Sequence, residues 1–188
     1  MRNCSWPGNN DLMRKYHDEE WCVPSHDDRF IFEMLNLEGA QAGLSWSTVI
    51  NKRDEYLLAF HNFDIQYCAN LSEDDFEKIR LNYGIIKNRL KIKAVRTNAI
   101  LAIELQKEFG SLAHYFWSFV NHEPIINHWQ SETQMPAESD ISQRISYDLK
   151  KRGFKFVGSV IMYSFMQAIG MVDDHIVECG YHTERKRP

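Results

Sequence analysis

The sequence predicts an all-α fold, and two observations support that class. Apolar residues recur at spacings of three and four through most of the 188 residues, which is the period of an amphipathic helix. Residues that cap helices, chiefly Ser, Asp and Gly, stand at the ends of those stretches. No stretch alternates apolar and polar residues convincingly enough for a half-buried strand. We therefore expect about eight short helices in a single domain that spans residues 1–188.

Four helices are predicted before residue 111. Asp27 or Asp28 caps the first helix, and Ser72 followed by Asp75 comes close to a capping box at the third. The fourth has a long amphipathic pattern that Gly110 ends. The four predicted helices cover residues 27–39, 45–60, 72–84 and 87–110.

Three further helices are predicted in the rest of the chain. Residues 111–120 form a short apolar helix, whereas residues 121–140 lose the periodicity, contain two prolines and are predicted to be loop. Residues 140–153 are amphipathic again and stop at a glycine. Residues 157–170 are apolar nearly all round, which predicts a buried central helix.

Composition and charge narrow the class of protein. Hydrophobic residues make up 44% of the chain and aromatic residues 13%, which is enough for a substantial core. A net charge of −4 argues against a protein that coats nucleic acid without specificity. No apolar run approaches the length of a membrane span, and the first 21 residues lack the apolar stretch of a secretory signal. We expect a cytoplasmic monomer with no membrane partner.

Cysteine and histidine residues near the two ends of the chain predict a metal site. His175 and Cys179 are four residues apart and would share one face if residues 173–179 are helical. Cys4 and His17 are the first Cys and the first His of the chain. Together the four make a Cys₂His₂ set, which suits one tetrahedral structural Zn²⁺ that joins the N- and C-terminal segments.

Spacing alone leaves other arrangements open. Cys22 or His26 could replace a member of the set, and the N-terminal pair could be accidental. The alternative without metal is a reduced, buried Cys179 accompanied by histidines on the surface. The four-residue spacing at the C-terminal end is the more informative half of the pattern.

Several long stretches resemble the bacterial 3-methyladenine DNA glycosylase I family. The stretches are CSWPGNNDLMRKYHDEEWCVP (4–24), FEMLNLEGAQAGLSWSTVINKR (32–53), GIIKNRLKI (84–92), WSFVN (117–121) and KKRGFKFVGSVIMYSFMQAIGMVDDH (150–175). The resemblance implies a helix–hairpin–helix glycosylase fold, with the hairpin at about residues 150–160. It also implies a structural zinc ion whose ligands correspond to Cys4, His17, His175 and Cys179.

Glu38 is the first candidate for the chemistry. It falls in an apolar helix pattern among Met34, Leu35 and Leu37, where a carboxylate is unfavourable unless it finds a hydrogen bond or a cation. The alternative is a carboxylate at a helix end that points to solvent.

The aromatic residues near Glu38 in the sequence lie in polar neighbourhoods rather than at regular core spacing, although they could also fill a small N-terminal core. The resemblance implies that Glu38 accepts hydrogen bonds from a flipped base and that Tyr16 and Trp46 stack on that base. It further implies that the pocket is closed by Trp6, Trp21 and Ser164.

The charge of the lesion explains why such a pocket can be selective. N3-methylated adenine in DNA is a cation, and ring faces attract a cation by about 0.5 to 2 kcal/mol. An ionised Glu38 in low dielectric would add to the preference over neutral adenine. A cationic base also departs as a neutral molecule, so it needs little help from a general acid.

The stretch around Gly158 predicts contact with the DNA backbone. Gly158 opens the buried helix, and a helix N-terminus offers free N–H donors to a phosphate. Lys151 and Lys155 add positive charge beside it, together with Lys150 and Arg152. A second basic run from residue 78 to residue 96 has seven Lys or Arg and no acid, and it is either a DNA contact or a solvated helix face.

Three further residues are candidates for handling the flipped nucleotide. Gln41 and Leu44 could fill the gap that the nucleotide leaves, although Leu44 could also belong to the core. Asp173 stands where many helix–hairpin–helix glycosylases of other families keep a catalytic Asp, in a V-D-x-H context, whereas the family resembled here often has Asn. Asp173 could stabilise the cation at C1′ or cap the helix that carries His175, and capping is the commoner role.

The function implied by the resemblance is repair of alkylated double-stranded DNA. The expected enzyme is a monofunctional hydrolase that excises N3-methyladenine, releases it as the free base and leaves an abasic site. One alternative is a zinc-stapled module that binds alkylated bases without catalysis. Another is a broader glycosylase that also removes other alkylpurines such as 7-methylguanine.

Overall fold

The computed structural model describes residues 3–185, and helices dominate them. This range contains ten α-helices and two short strands. The helices are α1 (Asp11–Glu19), α2 (Asp28–Gln41), α3 (Trp46–Ile50), α4 (Arg53–Ala59), α5 (Ile65–Ala69), α6 (Glu73–Asn82), α7 (Arg89–Phe109), α8 (Leu112–Ser118), α9 (Asp140–Arg152) and α10 (Ser159–Ala168). The strands are β1 (Ile125–Ile126) and β2 (Val172–Asp173), and single 3₁₀ turns lie at Glu132–Gln134 and Thr183–Arg185.

The capping residues act where the sequence predicts them. The Asp27 side chain accepts from the Phe30 N–H and starts α2. The Ser72 and Asp75 side chains form a complete capping box at α6. Gly110 ends α7 at a φ of 87°, a left-handed value that favours glycine. These signals are local, so the sequence alone reveals them.

The predicted helix over residues 45–60 is wrong in one respect, because it is two helices. The Asn51 side chain donates to the Ser47 carbonyl oxygen over 2.6 Å. That local bond competes with continuation of α3, and α4 begins two residues later. Two short helices, α1 and α5, were not predicted, because each presents few apolar residues from which to recognise a period.

The segment 121–140 is loop for most of its length, but β1 lies within it and pairs in parallel with β2. Ile125 aligns with Val172, and Ile126 aligns with Asp173. A two-residue strand is too short to display alternation, so the sequence pattern could not reveal it. The pair joins the middle of the chain to the segment after α10.

The core is organised around α2 and α10. Residues 31–40 of α2 are buried all round, and α10 packs against both α2 and α9. The predicted central helix at 157–170 is therefore confirmed, and α2 is a second central helix that was not predicted to be one. Within residues 3–185 no helix is long and apolar enough to cross a membrane.

Candidate active site

A cavity of about 310 Å³ opens between α1, α2, α3 and α10. Its walls are mostly aromatic, with a few polar groups. Its lining consists of Trp6, Tyr16, Trp21, Glu38, Gln41, Trp46, Glu132, Met135, Ser164 and Gln167. Glu38 and the five residues predicted to bind the base are all among them, so the structure brings this predicted set together.

Glu38 is the buried acid of the cavity. The side chain sits in the last turn of α2 and the residue is only 3% exposed. Its Oε2 atom is buried and makes no hydrogen bond with any residue in the range 3–185. Burial raises the pKa of Glu38 to about 8. The carboxyl is therefore mostly protonated at neutral pH in the free protein, so the ionised group predicted from the sequence is wrong for the unbound state.

The aromatic walls enclose this carboxyl on several sides. The ring centroids of Tyr16 and Trp46 are 5.0 Å apart, and those of Trp6 and Trp21 are 5.1 Å apart. The indole N–H groups of Trp6 and Trp46 are buried and find no acceptor in the part of the chain that the structure describes. A cavity with unpaired donors and an unpaired carboxyl is incomplete without a polar, planar occupant.

Three residues of the lining were not predicted from the sequence: Gln167, Glu132 and Met135. Gln167 could have been predicted, because it lies three residues after Ser164, on the same face of a helix that is otherwise mostly apolar. Glu132 and Met135 belong to the segment that was predicted as loop. The Glu132 carboxylate accepts from the Ser5 hydroxyl and from the Ser5 and Trp6 N–H groups, which holds the Trp6 wall in place.

A groove of about 150 Å³ adjoins the cavity and is bounded by the loop 41–44 and the first turn of α10. Gln41 lines both spaces. Leu44 is 45% exposed, so it does not belong to the core. The Lys91 ammonium donates to the Ala40 and Ala42 carbonyl oxygens over 2.8 and 2.7 Å, which fixes the end of α2 and the start of this loop.

The connection between α9 and α10 packs on the helix that carries Glu38. Gly153 ends α9 at a φ of 103°, and Phe156 has a φ of 57°. An added Cβ at Gly39 would lie 3.1 Å from the Phe156 Cβ, so only glycine lets the connection approach this closely. The Asn98 side chain accepts from the Lys155 N–H over 2.9 Å and donates to the Lys155 carbonyl oxygen over 3.2 Å.

The basic residues divide into exposed and ion-paired groups. Lys151 and Lys155 are exposed beside this connection. Arg152, which was predicted to add to their charge, instead pairs with Glu108 and Asp148. Five of the seven basic residues between 78 and 96 form ion pairs with acids of α6. That run is therefore mostly a solvated, ion-paired face, which favours the second of its two interpretations over a DNA contact.

Cysteine and histidine side chains from the two ends of the chain lie together below the cavity. The ligand atoms of Cys4, His17 and Cys179 lie within 4.8 Å of one another. The His175 ring lies beside them, with its centroid 4.8 Å from that of His17. The hydrogen bond with Cys4 lowers the pKa of the Cys179 thiol well below its usual range. Trp21 packs against both imidazoles, so this cluster supports one wall of the cavity.

The two alternative members of the cluster, Cys22 and His26, lie in different places. The expected helix over residues 173–179 is wrong, since residues 174–176 have no regular structure and residues 177–180 form turns. His26 lies elsewhere, against Trp117. Cys22 forms a second group with Asp173 and His175, whose ligand atoms also lie within 4.8 Å of one another.

Asp173 is fully engaged with its own neighbours. Its Oδ1 atom accepts from the His175 backbone N–H over 3.1 Å and contacts the His175 Nδ1 at 2.8 Å. Its Oδ2 atom accepts from the Thr183 N–H and hydroxyl groups. Burial alone would raise the pKa of Asp173, but these hydrogen bonds outweigh burial and hold the pKa well below its usual range. Asp173 is not among the residues that line the cavity, so its position favours the structural role over the catalytic one.

The fold and the cavity together define a class of protein. A helical chain encloses a buried, unpaired carboxyl with aromatic rings in a space of about 310 Å³, which is the size of a small planar ligand. The groove beside it is bordered by exposed side chains from two different elements. These features define a helical protein that binds an aromatic ring next to an acid.

Comparison with known proteins identifies the family. The sequence profile of the family described as methyladenine glycosylase matches residues 6–183. The chain is 44% identical over 179 residues to DNA-3-methyladenine glycosylase 1 of Escherichia coli (strain K12), covering 95% of this chain and 96% of that protein. It is 41% identical over 180 residues to DNA-3-methyladenine glycosylase of Haemophilus influenzae (strain ATCC 51907 / DSM 11121 / KW20 / Rd), covering 96% and 97%.

Solved structures agree with that assignment. The structure that describes 3-methyladenine recognition by 3-methyladenine DNA glycosylase I from Staphylococcus aureus is 30% identical, covers 95% of each chain and superposes with a TM-score of 0.93. The chain belongs to the methyladenine glycosylase family.

Proposed function

We propose that this chain is a DNA-repair glycosylase that hydrolyses the bond between N3-methyladenine and deoxyribose in double-stranded DNA. The observation that carries the proposal is Glu38, a buried carboxyl with no partner among the described residues, enclosed by the rings of Tyr16 and Trp46. Relatives that match nearly the whole chain are named for this activity. The lesion would rotate out of the duplex into the cavity, as bases do in other glycosylases.

The positive charge of the lesion complements this environment. The ring faces attract a cation, and the carboxyl adds a full charge when it ionises. In the free protein burial keeps Glu38 largely protonated, with a pKa of about 8. A cationic base in contact with the carboxyl would lower that pKa, so the proton leaves as the lesion enters. Uncharged adenine offers no such compensation for burying an ionised carboxyl.

Cleavage of the bond to a cationic base needs few catalytic groups from the protein. The bond between C1′ and the methylated base breaks with both electrons going to the base, which departs as a neutral molecule. Water adds to C1′ and gives up one proton, which leaves an abasic site. Stabilisation of positive charge on the sugar is then the main catalytic contribution. Among the predicted catalytic residues Glu38 has the position for that role, because Asp173 lies outside the cavity lining.

The DNA backbone would be held by the α9–α10 connection, acting as the helix–hairpin–helix element. Gly158 precedes α10, and an added Cβ there would meet only the Ile161 Cδ1 at 3.9 Å, so a phosphate has room to approach. Lys151 and Lys155 are exposed next to it. Gln41 and Leu44, on the loop beside the groove, would fill the gap in the base stack.

A structural zinc ion fits the cluster below the cavity. The ligand atoms of Cys4, His17 and Cys179 lie within 4.8 Å of one another, which is close enough for all three to bind one ion. The His175 Nε2 atom is buried without a hydrogen-bond partner in the range 3–185, while its Nδ1 atom contacts Asp173, as in many histidine ligands. We propose these four residues as ligands that leave no open coordination position, so the ion would hold the terminal segments and take no part in the reaction. The cytoplasmic location and the monomeric state stay predictions.

The test is base release from methylated duplex DNA, measured by chromatography of the free purines. The wild-type protein should release 3-methyladenine, and it should leave 7-methylguanine attached to the same DNA. Glu38→Gln should release the lesion at least tenfold more slowly. A purified protein that binds the DNA but frees no 3-methyladenine contradicts the proposal and supports the non-catalytic alternative. Equal release of both purines supports the broader enzyme.

A further inference from the structure

Lys91, in the first turn of α7, binds backbone oxygens of another helix instead of a carboxylate. Lys93, two residues further along α7, pairs with Glu73. The Lys91 ammonium instead donates to the Ala40 and Ala42 carbonyl oxygens over 2.8 and 2.7 Å. Helix α2 has no basic residue in its own last turn, and the carbonyl end of a helix favours a cation. Lys91 therefore supplies from α7 the positive charge that α2 lacks.

The loop that follows α2 is a tight turn whose shape depends on one peptide group. The Leu44 N–H donates to the Gln41 carbonyl oxygen over 2.6 Å. Ala42 has a φ of −45° and a ψ of 116°, and Gly43 has a φ of 75°, which are values of a type II turn. Types I and II differ mainly in the direction of the central carbonyl group, which here belongs to Ala42. The hydrogen bond from Lys91 to that carbonyl therefore holds the turn in its type II form.

The same ammonium lies next to the α9–α10 connection. It is 6.0 Å from the centre of the Phe156 ring, and Phe156 packs on Gly39 near the end of α2. Further along α7, the Asn98 side chain accepts from the Lys155 N–H. One helix of 21 residues therefore fixes the turn and the connection relative to each other. These are the two elements to which the proposed function assigns the base stack and the phosphates.

We propose that Lys91 is a positioning residue for extrusion of the lesion. It holds the turn so that Gln41 and Leu44 enter the base stack while the connection holds the backbone. This inference rests on the proposed function, and on its wedge in particular. A wedge stabilises the extruded nucleotide only if the backbone that carries it does not yield when the stack closes. Lys91 does not line the base cavity, so it acts on extrusion and leaves base recognition to the cavity.

The experiment compares two properties of Lys91→Met, which keeps the aliphatic stem and removes the donors. Release of 3-methyladenine from methylated duplex DNA is measured in single turnovers with saturating protein, so that affinity for DNA does not affect the rate. This rate should fall about fivefold or more. Affinity for free 3-methyladenine, followed by the fluorescence of the cavity tryptophans, should stay within about twofold of the wild type, because a free base needs no extrusion.

Lys93→Met is the matched control, because it removes the same charge from the same helix at a lysine that binds Glu73. It should keep the wild-type rate with saturating protein. Leu44→Ala tests whether Lys91 acts through the turn. Each of Lys91→Met and Leu44→Ala should slow release, and the double variant should be little slower than the slower single variant, because both changes disable the same wedge.

Three results would overturn the inference. One is a Lys91→Met protein that keeps the wild-type rate or loses affinity for the free base as much as it loses rate. Another is a Lys93→Met protein as slow as Lys91→Met, and the third is a double variant in which the two effects multiply in full. Leu44→Ala at the wild-type rate removes the wedge from the proposed function, and a wild-type protein that releases no base removes that function itself. Failure of the proposed function is therefore distinguishable from failure of the inference.

Discussion

Two glutamates of α2 show what the environment does to the same side chain. Glu33 is buried and accepts from Arg29 and Arg53, each over 2.7 Å. Glu38 is equally buried one turn and a half further along, yet it has no cationic partner among the described residues. An unpaired buried acid destabilises the fold, and such costs concentrate at functional sites. We infer that the cation Glu38 lacks in the free protein is supplied by the lesion.

The stability of the protein should therefore depend on pH in an unusual direction. The pKa of Glu38 is raised from 4.5 to about 8 in the folded state. At a pH between these two pKa values Glu38 is ionised in the unfolded chain and protonated in the folded protein. The free energy of unfolding is therefore highest below the lower pKa and decreases as the pH rises towards the higher pKa. The slope is about 1.4 kcal/mol per pH unit for one group. Glu38→Gln should remove this decline, as measured by urea unfolding at pH 5, 6, 7 and 8.

Glu33→Gln is the control for that measurement. It removes the negative charge and replaces one of the two acceptor oxygens by an NH₂ group that faces a guanidinium, so it should lower stability at all four pH values and leave the decline in place. A wild-type protein whose stability is level across this range, or a Glu38→Gln protein that keeps the wild-type slope, contradicts the assigned environment of Glu38.

The predictability of the site differs from residue to residue. Glu38 could be identified because a charged residue in an apolar helix pattern is conspicuous in the sequence. Its raised pKa could not be predicted from the sequence, since it results from burial among rings that come from α1 and α3. Asp173 illustrates the opposite case, because a familiar local context suggested catalysis, whereas Thr183, ten residues away, helps to fix its carboxylate.

At the scale of the helices, the α9–α10 connection is tied to the base cavity through α2. Phe156 packs on Gly39, the residue that follows Glu38. The Asn98 amide also donates to the Asn36 Oδ1 over 3.1 Å, so α7 holds α2 and the connection together. A phosphate bound at Gly158 would therefore have a fixed position relative to the carboxyl of Glu38, which is the arrangement that base extrusion requires.

Gly158→Ala separates the DNA-binding role of this connection from its folding role. The backbone φ is −63°, and the added Cβ meets only one atom at 3.9 Å, so thermal stability should stay level or rise slightly. The methyl group should obstruct a phosphate and weaken binding to a duplex that contains an abasic-site analogue on the order of tenfold. Fluorescence anisotropy measures the binding and calorimetry the stability.

Gly153→Ala provides the contrast, because its φ of 103° strains any other residue and should lower the melting temperature. Wild-type affinity for DNA in Gly158→Ala contradicts the assignment of this connection as the phosphate contact. The sequence predicted the end of α9 at Gly153 and the apolar helix α10, because a glycine stop and an apolar run are local signals, whereas the DNA contact stays a prediction.

At the scale of the whole molecule, the two ends of the chain meet below the cavity. Cys4 and His17 precede α2, whereas Cys179 follows β2, and the cluster packs against the Trp21 wall. The sequence predicted this meeting from the residue types alone. It did not predict the β1–β2 pair, because that contact joins residues about fifty positions apart through two residues on each side.

Removing one ligand should loosen both ends of the molecule. Cys179→Ala should lower the zinc content, measured by plasma mass spectrometry, from one ion per chain to well below one. It should also lower the melting temperature, because the terminal segments lose the link between them. Cys68→Ala is the matched control, since Cys68 is an equally buried thiol whose sulfur contacts the Phe60 carbonyl oxygen instead. Wild-type protein without zinc contradicts the metal site.

The most direct test of the central claim is the rate of 3-methyladenine release between pH 6 and 9 for the wild type and Glu38→Gln. It is measured in single turnovers with the protein well below saturation, so that the rate reports the pKa of the free protein. If the ionised carboxyl of Glu38 receives the cationic base, the wild-type rate should rise roughly tenfold per pH unit and level off near the pKa of about 8, and the variant should be slow and flat. A flat wild-type profile, or a variant that keeps the wild-type rise, would contradict the claim.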